Sequence, residues 1–229
     1  MKKDNKGMNS NVAVAHHEHH EVIPGEPPHI HHMDSATAYG AAKLGMWLFL
    51  ATEILLFAVM FCSFAIMRYY HLAEFHDASH HLNLPLGATN TLVLLFSSAT
   101  AAVAVTKAQK GDNKGVIKYF GISFVCGLAF LVIKTIEYSG KAHHGMFPVV
   151  WNEHFYEYKN FLGLYYCMTG LHALHVIIGM AVMVIYGILP ARHNRFSGRY
   201  YTPVELGALY WHLVDLIWIY LFPLLYLVG

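Results

Sequence analysis

The chain has 229 residues, 56% of them hydrophobic and 13% charged, with a formal net charge of +1. It is too apolar for an ordinary soluble domain and too nearly neutral for a nucleic-acid binder, whereas its length suits one helical membrane unit. The three cysteines, Cys62, Cys126 and Cys167, lie in three separate apolar runs with no C-x-x-C or C-x-x-C-H spacing. This pattern excludes zinc fingers, covalently held haem and a disulfide scaffold, and it predicts small, inert, buried packing residues.

Residues 1–38 read as a polar, disordered tail carrying Lys2, Lys3 and Lys6, then His16, His17, His19 and His20, then His29, His31 and His32 among prolines. No apolar run follows the lysines, so no signal peptide is expected. The histidines could capture a metal or buffer protons, but the segment lacks the apolar residues that would fix ligand geometry.

Residues 39–229 read as an all-α integral membrane bundle with five transmembrane helices, at about 41–68, 86–107, 116–139, 160–189 and 204–228. Cations mark one side of it. Lys2, Lys3, Lys6 and Lys43, the cluster Lys107, Lys110, Lys114 and Lys118, and the trio Arg192, Arg195 and Arg199 all fall on the side of the N-terminus. Arg68, Lys141 and Lys159 fall on the other side, and Lys134 lies within a span. The positive-inside rule predicts an inner N-terminus and, after five spans, an outer C-terminus.

In the first span, Glu53 sits deep among Trp47, Leu50, Leu55 and Phe57. A carboxyl at that depth is expected to be a hydrogen-bonded neutral acid or to pair across the bundle, which makes it a functional candidate. The second span opens at Pro85 and carries Asn90, Ser97, Ser98 and Thr100, which can bond between helices. The third ends with Lys134, Glu137 and Lys141. Glu137 can reach either lysine, and its place near the outer interface predicts a snorkelling ion pair, with a proton site as the alternative.

The fourth span, Asn160–Leu189, contains no Lys, Arg, Asp or Glu, yet holds His172 and His175 near its middle. At i and i+3 the two imidazoles share a helix face, and Gly163, Gly170 and Gly179 offer places for close helix approach. Both histidines read first as hydrogen-bonded inside the bundle. In the fifth span, His212 and Asp215 repeat the i, i+3 spacing, so the carboxylate is expected to orient the imidazole. Pro223 is expected to bend the far end of that helix.

Taken together, Gly170-Leu-His-Ala-Leu-His-Val-Ile-Ile-Gly179 and Tyr210-Trp-His-Leu-Val-Asp-Leu-Ile-Trp218 resemble subunit III of the haem-copper cytochrome oxidases. The helix around Glu53, the entry Pro85-Leu-Gly-Ala-Thr-Asn-Thr91 and Ile136-Glu-Tyr138 are similar to that family as well, so the likeness covers about residues 40–228. The mitochondrial type has seven spans; this chain is similar to the five-span form of bacterial oxidases, which lacks the first two.

The resemblance implies an accessory subunit with no catalytic, cofactor-binding or metal-ligating residue of its own. It would pack against subunits I and II, with haem and copper held by those partners. Phospholipid would be bound, and the complex would sit in the bacterial inner membrane. Supporting proton uptake and protecting the catalytic core are the roles implied, with Glu53, Glu137, His172, His175, His212 and Asp215 as the intramembrane polar candidates. Three alternatives stand beside it. One is a b-type cytochrome gripping haem between His172 or His175 and His212. The second is a proton-coupled transporter using Glu53. The third is a related subunit of a quinol oxidase or nitric oxide reductase.

Overall fold

The computed structural model describes residues 35–79, 82–143 and 158–227, all helix or connecting turn, with no strand among them. The histidines of the tail, and most of the third connection, lie outside the described residues. The helices are α1 (Ser35–Tyr70), α2 (Leu72–Ser79), α3 (Leu84–Gln109), α4 (Asn113–His143), α5 (Lys159–Val182), α6 (Leu189–Arg192) and α7 (Thr202–Tyr226). Between α5 and α6 the chain runs as a π-helix, Met183–Ile188, so the three form one continuous rod. Five segments are long and apolar enough to cross a bilayer: Thr37–Tyr70, Leu84–Gln109, Asn113–Lys141, Lys159–Arg192 and Thr202–Tyr226. The protein is a multi-pass helical membrane bundle.

The bundle is built around its last helix. In α7, 56% of the apolar stretch is buried within the protein, against 17% in α1. Trp211 and Trp218 of α7 are fully buried among α3, α4 and α5, while α1 turns Leu44, Leu48, Leu55 and Val59 outward. Outward apolar side chains are what a hydrocarbon solvent or a partner subunit requires. Burial here reflects close packing and polar pairing, since lipid is as apolar as leucine.

Small residues set the helix approaches. Ala101, Ala104 and Ala108 of α3 are fully buried. Thr100 Oγ1 and Ser123 Oγ are 2.7 Å apart, and Ser123 also donates to the Ser97 carbonyl at 3.1 Å. Trp211 Nε1 donates to Ser97 Oγ at 2.9 Å, which ties α7 to the α3–α4 pair. A Cβ on Gly179 would lie 2.7 Å from the Trp211 ring, and one on Gly187 would overlap the Phe120 ring. Gly163 and Gly170, expected to be approach points, face open space.

Gly187→Ala is therefore expected to cost about 1–3 kcal/mol through overpacking against Phe120. Gly170→Ala should be neutral, or stabilising by up to about 1 kcal/mol through helix propensity. Thermal unfolding of the two variants in detergent makes the comparison, and equal midpoints would contradict the packing described.

Polar clasps close both ends. At the cation-rich end, Lys43 Nζ donates to Glu205 Oε1 at 3.0 Å, and Tyr39 OH donates to Glu205 Oε2 at 2.7 Å. This clasp lies near the start of α1, which begins at Ser35, inside the stretch read as tail. The α3–α4 turn uses Gly111 in the left-handed region, at φ 71°. The turn meets the connection before α7 through Asn113, whose side chain accepts from Phe196 N at 3.2 Å and donates to Phe196 O at 3.0 Å.

Asp112 accepts from the Gly115 amide at 2.9 Å and pairs with Lys107 at 3.3 Å. The Gly115 amide first, then the Lys107 ammonium, hold its carboxyl below the usual range. A depressed carboxyl pKa contributes stability above the unfolded value of about 3.9, and that contribution is lost as pH falls through the lowered folded value. Exchange protection of the Gly115 amide should therefore drop in acid. In Asp112→Ala it should be low at every pH, and an unchanged variant would remove Asp112 from the turn.

At the opposite end lies α2, which the apolar pattern did not reveal. Its Phe75 packs edge-on against Phe64 and Phe161, with ring centroids 5.1 and 5.4 Å away. Its Glu74 caps α5, accepting from the Asn160 amide at 2.9 Å, the Phe161 amide at 3.3 Å and Asn160 Nδ2 at 3.0 Å. A carboxylate there satisfies orphan amide donors and complements the helix dipole. The cysteines depart from expectation: Cys62 and Cys167 are exposed on the outside of the bundle, and Cys126 is half-buried. An apolar run in a membrane helix carries no information about which side faces protein.

Candidate functional site

The polar candidates divide among three helix interfaces. Glu53 stands at the middle of the α1 span, and its Oε2 lies 2.8 Å from His175 Nε2 of α5. His175 Nδ1 lies 2.8 Å from the Leu171 carbonyl, which can only accept, so Nδ1 carries a hydrogen. The contact with Glu53 therefore holds one proton, on oxygen or on nitrogen, and the pair is neutral overall in either form. Phe57 packs edge-on to the imidazole at 5.2 Å. The expected pairing of Glu53 across the bundle is present, and its partner is one of the two central histidines.

His172 takes a different interface. A three-residue step turns a helix by about 300°, so the two rings diverge by about 60°. That is enough to send His172 towards α4 and α7. It is fully buried, 5.4 Å from the Phe130 ring and 5.2 Å from the Trp218 ring, and neither nitrogen has a hydrogen-bond partner among the described residues. The expectation that both histidines bond within the bundle holds for His175 and fails for His172.

Glu137 overturns the snorkelling reading. Its side chain is 2% exposed and that of Lys134 is 4% exposed, with 3.0 Å between Lys134 Nζ and Glu137 Oε2. Lys134 also donates to Tyr165 OH at 3.2 Å and Tyr226 OH at 3.0 Å. The two phenols in turn donate to Glu137 Oε1, at 2.9 Å from Tyr165 and 2.6 Å from Tyr226. All three ammonium hydrogens and both carboxylate oxygens are thus engaged. Such closure is what lets a buried ion pair offset the loss of water.

Lys141 joins the cluster by stacking its ammonium 4.1 Å from the Tyr165 ring centroid. Tyr138 hydrogen-bonds to Thr169 on the neighbouring helix. Lys134, Glu137 and Lys141 follow one another at i, i+3 and i+7, a single helix face that turns inward. That spacing was the available signal. The tyrosines that complete the cluster, one and two spans further along the sequence, gave none.

The third interface holds His212 and Asp215. Ser98 of α3, rather than Asp215, meets His212, with Ser98 Oγ 2.7 Å from His212 Nδ1. Asp215 is 2% exposed, and neither carboxylate oxygen has a hydrogen-bond partner among the described residues. The expected direct orientation of His212 by Asp215 is not what the structure holds; His212 bonds to the serine instead. Asn90, expected to bond across helices, is buried with no hydrogen-bond partner among the described residues.

His175, His172 and His212 thus face α1, α4 and α3 respectively, and no two of them converge from opposite sides on a common space. Among the described residues, no three His, Cys, Asp or Glu side chains gather as a metal would require.

Five apolar spans, a neutral carboxyl–imidazole pair at mid-membrane and a sealed lysine–glutamate–tyrosine cluster define a polytopic membrane subunit. A profile of cytochrome c oxidase subunit III matches residues 12–229. The chain belongs to that family. It is 30% identical over 188 residues to cytochrome c oxidase subunit 3 of Corynebacterium diphtheriae, covering 81% of this chain and 87% of that protein. It is 29% identical over 228 residues to cytochrome bo(3) ubiquinol oxidase subunit 3 of Pseudomonas aeruginosa, covering 97% of each. A third relative, cytochrome c oxidase subunit 3 of Bacillus sp. strain PS3, is 29% identical over 211 residues, covering 91% of this chain and 94% of that protein. The protein is accordingly a component of a multisubunit haem-copper oxidase complex in a membrane.

Proposed function

We propose that the protein is the accessory subunit that packs beside catalytic subunit I, together with subunit II, in a terminal oxidase of aerobic respiration. In this reading it carries no redox centre, and haem and copper reside in the partners. The observation that carries it is the placement of its own imidazoles at three separate helix interfaces. His175 is held by Glu53 and the Leu171 carbonyl, His212 has one nitrogen on Ser98, and His172 is walled by Phe130 and Trp218. An axial ligand needs a free nitrogen aimed at a common iron, which supports the accessory reading over a b-type cytochrome.

The exterior of α1, rich in exposed leucines, suits subunit and phospholipid contact. The cation-rich end, where α1 and α7 begin, is assigned to the inner face of a bacterial cytoplasmic membrane, with α7 ending outside. Relatives named for cytochrome c and for quinol oxidation stand at similar identity, so the electron donor is a property of the partners.

Purification under mild detergent tests this reading. A large multi-haem subunit should accompany the chain, while the chain stripped of partners should show no reduced-minus-oxidised haem band. A haem copurifying one-to-one with the isolated chain would restore the cytochrome reading. A nitric oxide reductase subunit as the sole haem partner would move the protein to that complex.

A further inference from the structure

One imidazole at mid-membrane is left partly open. His212 stands about ten residues into the last span, Thr202–Tyr226, about 15 Å from its start at the helical rise. Its Nδ1 is 2.7 Å from the Ser98 hydroxyl of α3, and its Nε2 has no hydrogen-bond partner among the described residues. The bundle seals both nitrogens of His172, whereas His212 is only half-buried and its Nε2 stays open at the surface. That surface is otherwise apolar. Ser98 is flanked on its own helix face by exposed Leu95 and Ala102, and His212 by exposed Leu216 and Ile219. Exposed hydroxyls elsewhere on the spans ask for nothing from outside. Thr52, Thr89, Thr106 and Thr135 each donate to a carbonyl three or four residues back on their own helix, as hydrocarbon requires. His212 Nε2 makes no such return.

We propose that this face of α3 and α7 is covered in the assembled complex by a transmembrane helix of a partner subunit, which brings a hydroxyl or amide to mid-depth against His212 Nε2. The inference rests on the accessory-subunit reading and assigns the contact a face and a polar anchor. An acyl chain offers Nε2 nothing to bond with, and a bare polar nitrogen in hydrocarbon is costly. Ionisable side chains within spans accordingly face protein rather than lipid. Ser98 can donate to Nδ1 or accept from it, so Nε2 either carries a hydrogen or presents a lone pair. A hydroxyl or an amide answers both forms, which a carboxylate or an ammonium does not. The small Ala102 beside Ser98 lets a helix backbone approach closely.

Photo-crosslinking in the intact complex, in native membranes, tests the proposal. A p-benzoylphenylalanine in place of Leu95 or Leu216 should join this chain to another polypeptide that copurifies in the same complex. Adducts with lipid alone, adducts with a second copy of this chain, or no adduct at all would each overturn the assignment. His212→Phe should shorten the lifetime of the assembled complex in mild detergent by about threefold to tenfold, the scale of one hydrogen bond. His212→Gln, whose amide reaches the place of Nε2, should recover most of that lifetime, whereas His212→Asn, which can keep only the Ser98 bond, should not. An unchanged lifetime in His212→Phe, or equal lifetimes in the Gln and Asn variants, would remove Nε2 from the contact. The two readings fail separately. Adducts missing from a complex that still holds its multi-haem subunit would sink the face alone, and an adduct within a complex that holds no haem would keep the face and sink the accessory-subunit reading.

Discussion

Lys134→Met is expected to destabilise the bundle by about 3–5 kcal/mol, the scale for leaving one member of a buried ion pair uncompensated. The structure makes the loss specific. Lys134 is the shared donor to Glu137, Tyr165 and Tyr226, so its removal strips the carboxylate of its cation and both phenols of the hydrogen they accept. Glu137→Gln in the same chain should recover part of the loss. The amide keeps an acceptor for the Tyr165 and Tyr226 hydroxyls while removing the buried charge. Thermal denaturation of the detergent-solubilised complex reads both variants. A single variant within about 1 kcal/mol of wild type would show that α4, α5 and α7 are held by packing alone.

At Glu53, substitution should separate a structural from a proton-linked role. Glu53→Gln retains a donor to His175 and an uncharged pair, so the oxidase should assemble and initial oxygen consumption should stay close to wild type. Glu53→Ala strands His175 Nε2 at mid-membrane, at a cost of about 1–3 kcal/mol, and should weaken association with the catalytic subunit. What Glu53→Gln removes is the single proton that the pair can shift between oxygen and nitrogen. If that proton is used, pumping stoichiometry or sustained turnover changes while assembly does not. Reconstituted vesicles, monitored for oxygen uptake and proton release together, distinguish the cases. Abolished oxygen reduction in a fully assembled Glu53→Gln complex would refute the accessory role.

The number, order and approximate limits of the spans were legible because hydrocarbon demands long apolar helices, and that demand is written residue by residue. The alternation of cations around the connections was equally legible. The partners of the polar residues were only partly so. Glu53 was singled out because a mid-span acid is conspicuous, and its pairing across the bundle was anticipated; that His175 is the partner is a matter of which helices adjoin. Glu137 was misread because depth along α4 was judged without rotation about it, and rotation sends the side chain inward to Tyr165 and Tyr226. His212 and Asp215 looked coupled by spacing alone, yet His212 bonds to Ser98 of α3 and not to Asp215. Glu74 escaped notice because a capping carboxylate that serves another helix leaves no periodic trace in its own.

The fastening of α1 has a further consequence for how the chain is made. This helix leaves the ribosome before the other described spans, but two anchors on it, and one on α2 directly behind it, arrive late. Glu74 waits 86 residues for Asn160, Glu53 waits 122 for His175, and Lys43 waits 162 for Glu205. Until the fourth span is inserted, a mid-membrane acid has no mate within its own polypeptide, a burden of a few kcal/mol by insertion scales. Domains form in order of synthesis where they can, and here they cannot. The first helix entering the bilayer is among the last to be locked, which leaves an interval in which an insertase, or the catalytic subunit itself, can hold it.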